Sequence, residues 1–538
     1  MWRVQILSHY MLSHLYICVN LSPFTVTSSA TTAPSKNMDI VTISAVCILL
    51  AFILLSLPRS RGKSPQNIPP GPYLLPIIGN IHKLGKHPHK SLANLAQVYG
   101  PIMCLKLGRI TTIVISSSST AQQVLQKQDL AFSSRCQLDA VQASCHNKYS
   151  AVFLPVGSRW RSLRKIMSSY IFAANRLDKN QHLRSRKVHE LVRFCEKCCQ
   201  SGEPVDIGRA AFLTSLNLLS NTIFSKDMID SYENLEAKEF RDLVWNIMVE
   251  AGKPNLVDYF PILRWIDPQG IRRRMTGHFE KLIKLFDGVL KERLELRRMG
   301  KASDNTSTTD VLEELLKMLQ TDEIDEAQIH NLFIDLFVAG TDTTSSTVEW
   351  AMSEILRNPK TILVKVKTEL NQEIGKGKIV QETDISKLVY LQCILKQTMR
   401  LHPPAPFLIP RQVKEEVQLC GYTIPKNSQV LVNAWAIGRD PKLWINPLSF
   451  QPERFMDSQI DFNGHGYELI PFGAGRRICP GMPLAMRMVP VMLGSLINCF
   501  DWELEGGILP EKLDMEEKFG ITLAKLHPLR AVATLVVL

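Results

Sequence analysis

The stretch PFGAGRRICPG at residues 471–481 places a single cysteine, Cys479, in a loop that holds three glycines. Glycine lets a backbone approach a flat ligand closely, in conformations that a Cβ forbids. A mostly apolar run at 482–500 follows directly and predicts a helix. The sulfur would then lie where backbone N–H groups and a helix N-terminus favour a thiolate over a thiol.

Arg477, two residues before the cysteine, adds a forked hydrogen-bond donor that matches a carboxylate. A thiolate iron ligand that faces a carboxylate-bearing macrocycle is the chemistry of haem-thiolate sites. The loop resembles the cysteine pocket of cytochrome P450 monooxygenases, which implies that Cys479 is the axial ligand of the iron in haem b. The neighbours expected to surround the haem are Phe472, Gly473, Gly475, Arg477 and Gly481.

The composition is that of a folded protein with a sizeable core, since 45% of the residues are hydrophobic and 21% are charged. The formal net charge of +12 favours an anionic membrane surface or an acidic protein as partner. No nucleic-acid partner is expected, because basic residues do not alternate with aromatic ones as in nucleic-acid-binding modules. The 12 cysteines lack the regular spacing of a disulfide framework.

An uncharged apolar run at 40–57 reaches the lower length limit of a membrane-spanning helix. Arg59, Arg61 and Lys63 follow at once, and the positive-inside rule then places the bulk of the chain in the cytosol. A cleaved signal peptide is the alternative, but the run is long for one and no small-residue cleavage site follows it. We therefore expect a protein of the endoplasmic reticulum membrane that contacts lipid through one N-terminal anchor.

Residues 1–37 contain no Asp or Glu and many Ser and Thr, as transit peptides do, and such a peptide would direct the protein to the plastid. The same composition fits an upstream sequence read in frame, with translation starting at Met38. The second reading is favoured, because the anchor would then begin at the chain terminus. The predicted segments are an N-terminal extension at 1–37, an anchor helix at 38–58, a basic and Pro-rich hinge at 59–76 and a haem-thiolate catalytic domain at 77–538.

A helical pattern covers residues 322–357 and contains the sequence AGTDTT at 339–344. Glycine followed by hydroxyl residues weakens the helical hydrogen-bond ladder, because Ser and Thr bond back to carbonyls. Asp342 beside Thr343 pairs a proton source with a hydroxyl that relays the proton. The motif resembles the acid–alcohol pair of the P450 family, which implies that both residues, with Gly340, take part in dioxygen activation.

Trp160 and Arg164 lie four residues apart and would share one face of a helix. On this pattern alone, an amphipathic pair at a helix surface explains them. The resemblance implies instead that both bind a haem propionate. Arg411 matches a further family position that reaches a propionate.

One motif of the family is altered in this chain. The Pro-Glu-Arg-Phe turn at 452–455 is intact, and the resemblance implies that its Arg454 meets Arg400 and a glutamate. Gln397 stands where that glutamate is expected, and it cannot neutralise two guanidiniums. Breaking a buried ion pair costs about 3–5 kcal/mol, of which a neutral hydrogen bond recovers about 1 kcal/mol. A weaker structural triad and weaker haem retention are therefore expected.

The resemblance also implies a substrate cavity with mostly apolar walls, which suits a lipophilic substrate. Its expected residues are Val338, Ala339, Phe407, Leu408, Ile409, Ile521 and Thr522. The amino-acid sequence at 333–350, 401–411 and 519–528 is similar to that of the plant microsomal group that includes geraniol hydroxylases and ferruginol-forming enzymes.

The likeness covers nearly everything from Pro69 to the C-terminus and implies a mainly α fold with a small β-rich lobe. In the P450 fold, a triangular helical prism holds the haem between two long helices. The implied reaction inserts one oxygen atom from O2 into a C–H bond of a small, terpenoid-like substrate. Electrons would come from NADPH only indirectly, through NADPH–cytochrome P450 reductase.

Two alternatives stay open at this point. One is an enzyme of the same fold that rearranges peroxides without a reductase, and the presence of Gly340, Asp342 and Thr343 argues against it. The other is a haem-poor, inactive relative that acts only as a binding protein, which Gln397 keeps open.

Overall fold

The computed structural model of the chain describes residues 67–229, 232, 235–299, 310–464 and 466–536. The predicted extension, the anchor helix and the hinge up to residue 66 lie outside the described residues. The rest of the hinge attaches to the globular body, because the N–H of Cys104 donates to Pro70 O at 2.8 Å and that of Thr423 donates to Asn67 O at 2.9 Å.

Helices dominate the described chain, as predicted. In chain order they are α1 Pro88–Tyr99, α2 Ser118–Gln122, α3 Ser158–Ile166, α4 Ala174–Lys179, α5 Gln181–Ser201, α6 Ile207–Phe224, α7 Leu235–Gly252, α8 Leu256–Tyr259, α9 Ile271–Arg298, α10 Val311–Gln320, α11 Glu326–Arg357, α12 Val364–Glu373, α13 Val389–Leu401, α14 Ala434–Ile437 and α15 Met482–Cys499.

The strands form a smaller part, with one five-stranded sheet of order β1-β2-β8-β5-β3 and one three-stranded sheet of order β4-β12-β9. Two-stranded sheets pair β6 with β7 and β10 with β11. In chain order the strands are β1 Ile102–Leu107, β2 Ile110–Ile115, β3 Ser134–Arg135, β4 Val205–Asp206, β5 Arg411–Gln412, β6 Val417–Leu419, β7 Tyr422–Ile424, β8 Gln429–Val432, β9 Phe500–Leu504, β10 Glu517–Lys518, β11 Ala524–Lys525 and β12 Arg530–Leu535.

Helix α11 begins later than the sequence pattern predicted. Asp325 caps it, accepting from the N–H of Gln328 while the Gln328 side chain accepts from the N–H of Asp325. Asp322 instead has a positive φ of 56° and lies in the turn before the helix. The helix ends at Arg357, because Pro359 follows and disfavours further helix.

Helix α15 confirms the run predicted after the cysteine loop. It is the one helix among the described residues that is long and apolar enough to cross a bilayer, and 67% of it is buried inside the fold. Its apolar side chains pack in the same core cluster as Val348, Ala351 and Met352 of α11. The composition of α15 therefore reflects a core position beneath the candidate site.

Residues 406–410 do not form a strand. Only Arg411 and Gln412 form a strand, β5, while Leu408 has a positive φ of 53° that interrupts any extended run.

Candidate active site

The cysteine loop lies at the N-terminus of α15 and is closed by its own backbone. The N–H of Cys479 donates to Phe472 O at 2.9 Å. Gly475 has a φ of 68°, and a Cβ there would lie 1.9 Å from the Leu125 carbonyl oxygen, so the loop path requires glycine. Gly473 also has a positive φ, 69°, which favours glycine at that turn.

Opposing effects act on the pKa of the Cys479 thiol. Burial raises the pKa of the Cys479 thiol, while the N–H groups of Gly481 and Met482 and the positive charge of Arg164 lower it. Gly481 lies next to the sulfur, and a Cβ on it would be 3.8 Å from that atom, an ordinary van der Waals distance. Backbone N–H groups that hydrogen-bond a cysteine sulfur are the outer-shell partners that tune a thiolate ligand.

Three arginines, Arg135, Arg411 and Arg477, form a buried cluster on the other side of the loop. None of them forms an ion pair with a carboxylate in the described part of the chain. Burial lowers the pKa of Arg477 to about 9, with Arg411 and Arg164 adding to the effect. Burial likewise lowers the pKa of Arg411 to about 10, and Asp129 opposes the shift.

These guanidiniums donate only to backbone carbonyls in the described structure. Arg477 donates to Ser133 O at 2.9 Å, to Ala151 O at 3.3 Å and also to Leu154 O. Arg135 donates to Ile409 O at 2.5 Å. A buried cluster of cations without a counter-charge is costly, and a ligand that brings carboxylates would neutralise it.

Trp160 and Arg164 share one face of α3, as predicted, but their roles differ. Trp160 is buried and stacks against Arg477, whose Cζ lies 4.7 Å from the ring centroid. The indole N–H is buried without a hydrogen-bond partner among the described residues, so it is one more donor that lacks an acceptor. Arg164 donates instead to Ile478 O at 3.0 Å, beside the cysteine.

The donor set fits the carboxylate-bearing macrocycle that the cysteine loop implies. Arg135, Arg411, Arg477 and the Trp160 indole N–H supply donors without acidic partners, and Cys479 supplies a soft ligand. Arg135 was missed by sequence reasoning. Its signal was a basic residue at the end of the segment AFSSR (131–135), and its place beside Arg411 became evident only when the fold paired β3 with β5.

Helix α11 carries the predicted acid–alcohol pair without interruption. Thr341 donates its hydroxyl to Phe337 O at 2.6 Å, Thr343 donates to Ala339 O at 2.7 Å and Thr344 to Gly340 O at 2.8 Å. The predicted back-bonding of the hydroxyls is therefore confirmed. The predicted opening of the helix is not seen, because α11 stays helical across this stretch.

Gly340 allows the close packing of two helices. A Cβ on Gly340 would lie 2.8 Å from Leu219 Cδ1 of α6. Real Cβ contacts are not that short, so Leu219 Cδ1, the end of a flexible side chain, would have to shift to admit a Cβ here. The part of Gly340 in dioxygen activation stays a prediction, and the structure adds this close contact between α6 and α11.

Asp342 is buried, and its Oδ2 has no hydrogen-bond partner among the described residues. Burial raises the pKa of Asp342 to about 6, and the Thr522 hydroxyl and then Arg241 oppose this shift. A carboxyl that titrates near neutral pH is well matched to giving and taking a proton. Thr343, the next residue, is only partly buried.

The three residues of the altered structural triad meet at one backbone carbonyl. Ser449 O accepts from Gln397 Nε2 at 2.9 Å, from Arg400 at 3.2 Å and from Arg454 at 3.5 Å. Arg454 also donates to Ile445 O at 3.0 Å. The three predicted members are therefore brought together, but Gln397 reaches Arg454 only through a shared acceptor.

The residues predicted to line the cavity contact different parts of the fold. Val338 is buried on α11, and Phe407 packs edge-on against Phe519 with ring centroids 6.0 Å apart. Ile521 is partly buried and donates its N–H to Met248 O at 3.2 Å. Thr522 is 2% exposed and faces Asp342. Their role in binding substrate stays a prediction, and so does that of Ala339, Leu408 and Ile409.

A second group of residues beside α11 was missed by sequence reasoning. Asp335 accepts from the Ser150 hydroxyl at 2.7 Å and from the N–H of Ala151 at 2.7 Å, and its Oδ1 lies 3.3 Å from His146 Nε2. His146 Nδ1 lies 2.5 Å from Asn331 Oδ1. This network ties segment 146–151 to α11. An acid inside an otherwise apolar run was its only sequence signal.

Comparison with known proteins agrees with this geometry. The model of the family Cytochrome P450 matches residues 69–527. Geraniol 8-hydroxylase of Swertia mussotii is 60% identical over 500 residues, which cover 93% of this chain and 99% of that protein. Geraniol 8-hydroxylase of Catharanthus roseus is 61% identical over 497 residues, covering 92% and 99%.

A relative with a different named substrate is more distant. Drimenol monooxygenase of Persicaria hydropiper is 49% identical over 497 residues, which cover 92% of this chain and 97% of that protein. The mainly α architecture with a small β lobe and the haem-thiolate chemistry implied by the loop are those of one family. The chain belongs to the cytochrome P450 family and is a haem-dependent monooxygenase.

Proposed function

We propose that the protein hydroxylates a small terpenoid alcohol of the geraniol type, using O2 and electrons delivered by a reductase. The observation that carries the chemistry is the cluster of Arg135, Arg411 and Arg477, which lacks acidic partners and lies beside the Cys479 loop. The substrate class rests on the two geraniol 8-hydroxylases, which are about three-fifths identical over nearly the whole chain.

Cys479 holds the haem iron in this proposal, and the buried arginines with the Trp160 indole bind its propionates. When bound there, haem supplies dioxygen activation and C–H oxidation. The chain contributes the charge that retains the cofactor. It also fixes the position of the sulfur, because the N–H of Cys479 is bonded to Phe472 O within the loop.

Asp342 and Thr343 handle protons in this proposal. Asp342 is buried on α11, with a pKa raised by burial to about 6, so it can donate a proton and be reprotonated near neutral pH. The Thr343 hydroxyl is held by Ala339 O at 2.7 Å and can pass a proton on without leaving the helix. Retention of both residues favours a monooxygenase over a peroxide-rearranging enzyme.

A basic surface near the cysteine loop supports docking of an acidic reductase. Arg161 and Lys165 are exposed on α3, the helix whose Arg164 contacts the loop. Arg476, inside the loop, has a side chain that is 52% exposed. Complementary charge steers and orients such encounters, so we propose NADPH–cytochrome P450 reductase as the partner at this face.

An exposed apolar surface supports membrane association. Tyr73, Leu74 and Ile77 are exposed just after the hinge, and Ile262 and Trp265 are 80% and 93% exposed. The two segments are neighbours, because the Gly108–Arg109 turn bonds to both Ile78 O and Tyr259 O. We propose that this surface and the anchor at 38–58 hold the protein on the endoplasmic reticulum membrane.

Turnover of the full-length protein with reductase in microsomes tests the proposal. Incubation with geraniol, nerol and drimenol, each with NADPH, is followed by mass spectrometry of the products. The proposal predicts a product one oxygen atom heavier from geraniol, at a higher rate than from drimenol. Turnover of an added hydroperoxide without NADPH would favour the peroxide-rearranging alternative, and no product from any of the three alcohols would contradict the substrate class.

A further inference from the structure

The C-terminal loop that carries Thr522 is fixed against α11 one turn beyond Asp342. Ser346 Oγ and Trp350 Nε1 both donate to Leu523 O, at 3.0 and 3.2 Å. The N–H of Leu523 donates to Pro404 O at 2.8 Å. Leu523, the residue after Thr522, is therefore held on two sides, by α11 and by Pro404.

The other neighbour of Thr522 is held as well. The N–H of Ile521 donates to Met248 O of α7 at 3.2 Å. Gly252, one turn later on α7, makes room for this contact, because a Cβ there would lie 2.4 Å from Ile521 N. With both neighbours bonded, the backbone at Thr522 is not free to move away from α11.

Two buried polar atoms face each other at this place without a hydrogen-bond partner in the described structure. They are Asp342 Oδ2 and Thr522 Oγ1, in residues that are 5% and 2% exposed. Buried polar groups in native proteins are nearly always paired, directly or through an ordered water. A rotation of either side chain, or one bridging water, pairs both atoms at once.

The charged groups on the elements around Asp342, Arg241 and Glu349, each have another partner. Arg241 of α7 acts on the carboxyl from a distance, and it forms an ion pair with Asp206 at 3.2 Å. Glu349 lies two turns further along α11 and accepts from the N–H of Leu529 at 2.8 Å. The Thr522 hydroxyl is the uncharged group that, together with Arg241, lowers the pKa of Asp342 against the effect of burial.

We propose that Thr522 is a positioning residue for proton transfer by Asp342. Its hydroxyl donates to the carboxylate when Asp342 has given up its proton and accepts from the carboxyl when Asp342 is protonated. The carboxyl thereby keeps one orientation in both protonation states while its proton exchanges on the Thr343 side. This inference rests on the proposed role of Asp342, and it assigns Thr522, which was predicted to line the cavity, to the positioning of that carboxyl.

Thr522→Val tests the proposal, because it removes the hydroxyl and keeps the shape, and Thr522→Ser restores the hydroxyl. The primary readout is the infrared C=O band of protonated Asp342 in the holoenzyme, assigned by its loss in Asp342→Asn. The band should titrate at a higher pH in Thr522→Val, by up to about one unit, since the hydroxyl stabilises the charged carboxylate more than the neutral carboxyl. Thr522→Ser should titrate as the wild type does.

Catalysis supplies the second readout. Thr522→Val should lower the product formed per NADPH several-fold and raise the solvent isotope effect, at unchanged haem content, and Thr522→Ser should restore both values. An unchanged Asp342 band in Thr522→Val would overturn the inference. If Asp342→Asn leaves coupling and isotope effect unchanged, the proposed role of Asp342 fails instead, and the infrared titration still decides whether Thr522 contacts it.

Discussion

Arg400 donates its Nε–H to Gln397 Oε1 over 3.0 Å, and the other hydrogen bonds of this guanidinium go to backbone carbonyls of Gly438, Pro447 and Ser449. Burial, followed by the charges of Arg454 and Arg439, lowers the pKa of Arg400 to about 9. A neutral amide therefore stands among cations at a position where relatives of the chain are expected to carry a carboxylate.

Gln397→Glu should increase both haem retention and melting temperature. The new carboxylate would lose the 2.9 Å hydrogen bond to Ser449 O, which is worth about 1 kcal/mol. It would gain an ion pair with the buried Arg400, next to the half-buried Arg454, and breaking a buried ion pair costs about 3–5 kcal/mol. The haem-to-protein ratio and the thermal unfolding of both proteins measure the outcome, and no gain in either would refute the expectation.

Arg477→Gln should release haem. The guanidinium is buried against backbone carbonyls only, and its removal takes away one of three cations beside the cysteine loop. We expect a several-fold lower haem-to-protein ratio after purification, read from the absorbance spectrum. Arg159→Gln, at an exposed arginine of α3, is the matched control and should retain haem as the wild type does. Equal loss from both variants would point to surface charge as the cause.

Gly340→Ala should stabilise the fold by about 1 kcal/mol less than a Gly→Ala change at an open helix position does, because the new methyl group would meet Leu219 Cδ1 at 2.8 Å and that side-chain end would have to shift. Combining it with Leu219→Ala should recover part of the overpacking cost. Gly277→Ala in α9 is the control, since a Cβ there meets nothing within 4 Å, and it should stabilise by about 0.5–1 kcal/mol. Denaturant unfolding measures all four proteins, and a gain from Gly340→Ala equal to that from Gly277→Ala would disprove the packing role.

Glu349→Gln should change the pH dependence of stability. Burial raises the pKa of Glu349 to about 7 from an ordinary 4.5, so between these values the folded protein keeps a proton that the unfolded chain has lost. Wild-type stability contributed by this group is present at low pH and falls as pH rises through the window, by up to about 1.4 kcal/mol per unit. The Glu349→Gln variant lacks this pH dependence of stability, because glutamine does not titrate.

Unfolding free energies at pH 5 and pH 7 test this expectation. The free energy of unfolding of Glu349→Gln should rise relative to that of the wild type as pH rises. That of the exposed Glu503→Gln in β9 should follow the wild type at both pH values. A variant with the wild-type slope would show that Glu349 is charged in the folded state throughout.

Much of the fold and the site followed from local sequence patterns. The cysteine loop, the helix after it, the pairing of Trp160 with Arg164 and the back-bonding of Thr343 are all encoded within a few residues of one another. Arg135 and the partner of Asp342 were not predictable in this way, because β3 pairs with β5 across some 275 residues and Thr522 reaches α11 across 180. Such contacts depend on the whole fold, and no local spacing announces them.

The most direct test of the account is the reduced, carbon-monoxide-treated spectrum of wild type and Cys479→Ser. Serine keeps the size of the side chain but offers no thiolate, so the account predicts a Soret band at the long-wavelength position of thiolate-ligated haem in the wild type and its loss in the variant. The wild-type band retained in Cys479→Ser would contradict the assignment of Cys479 as the iron ligand.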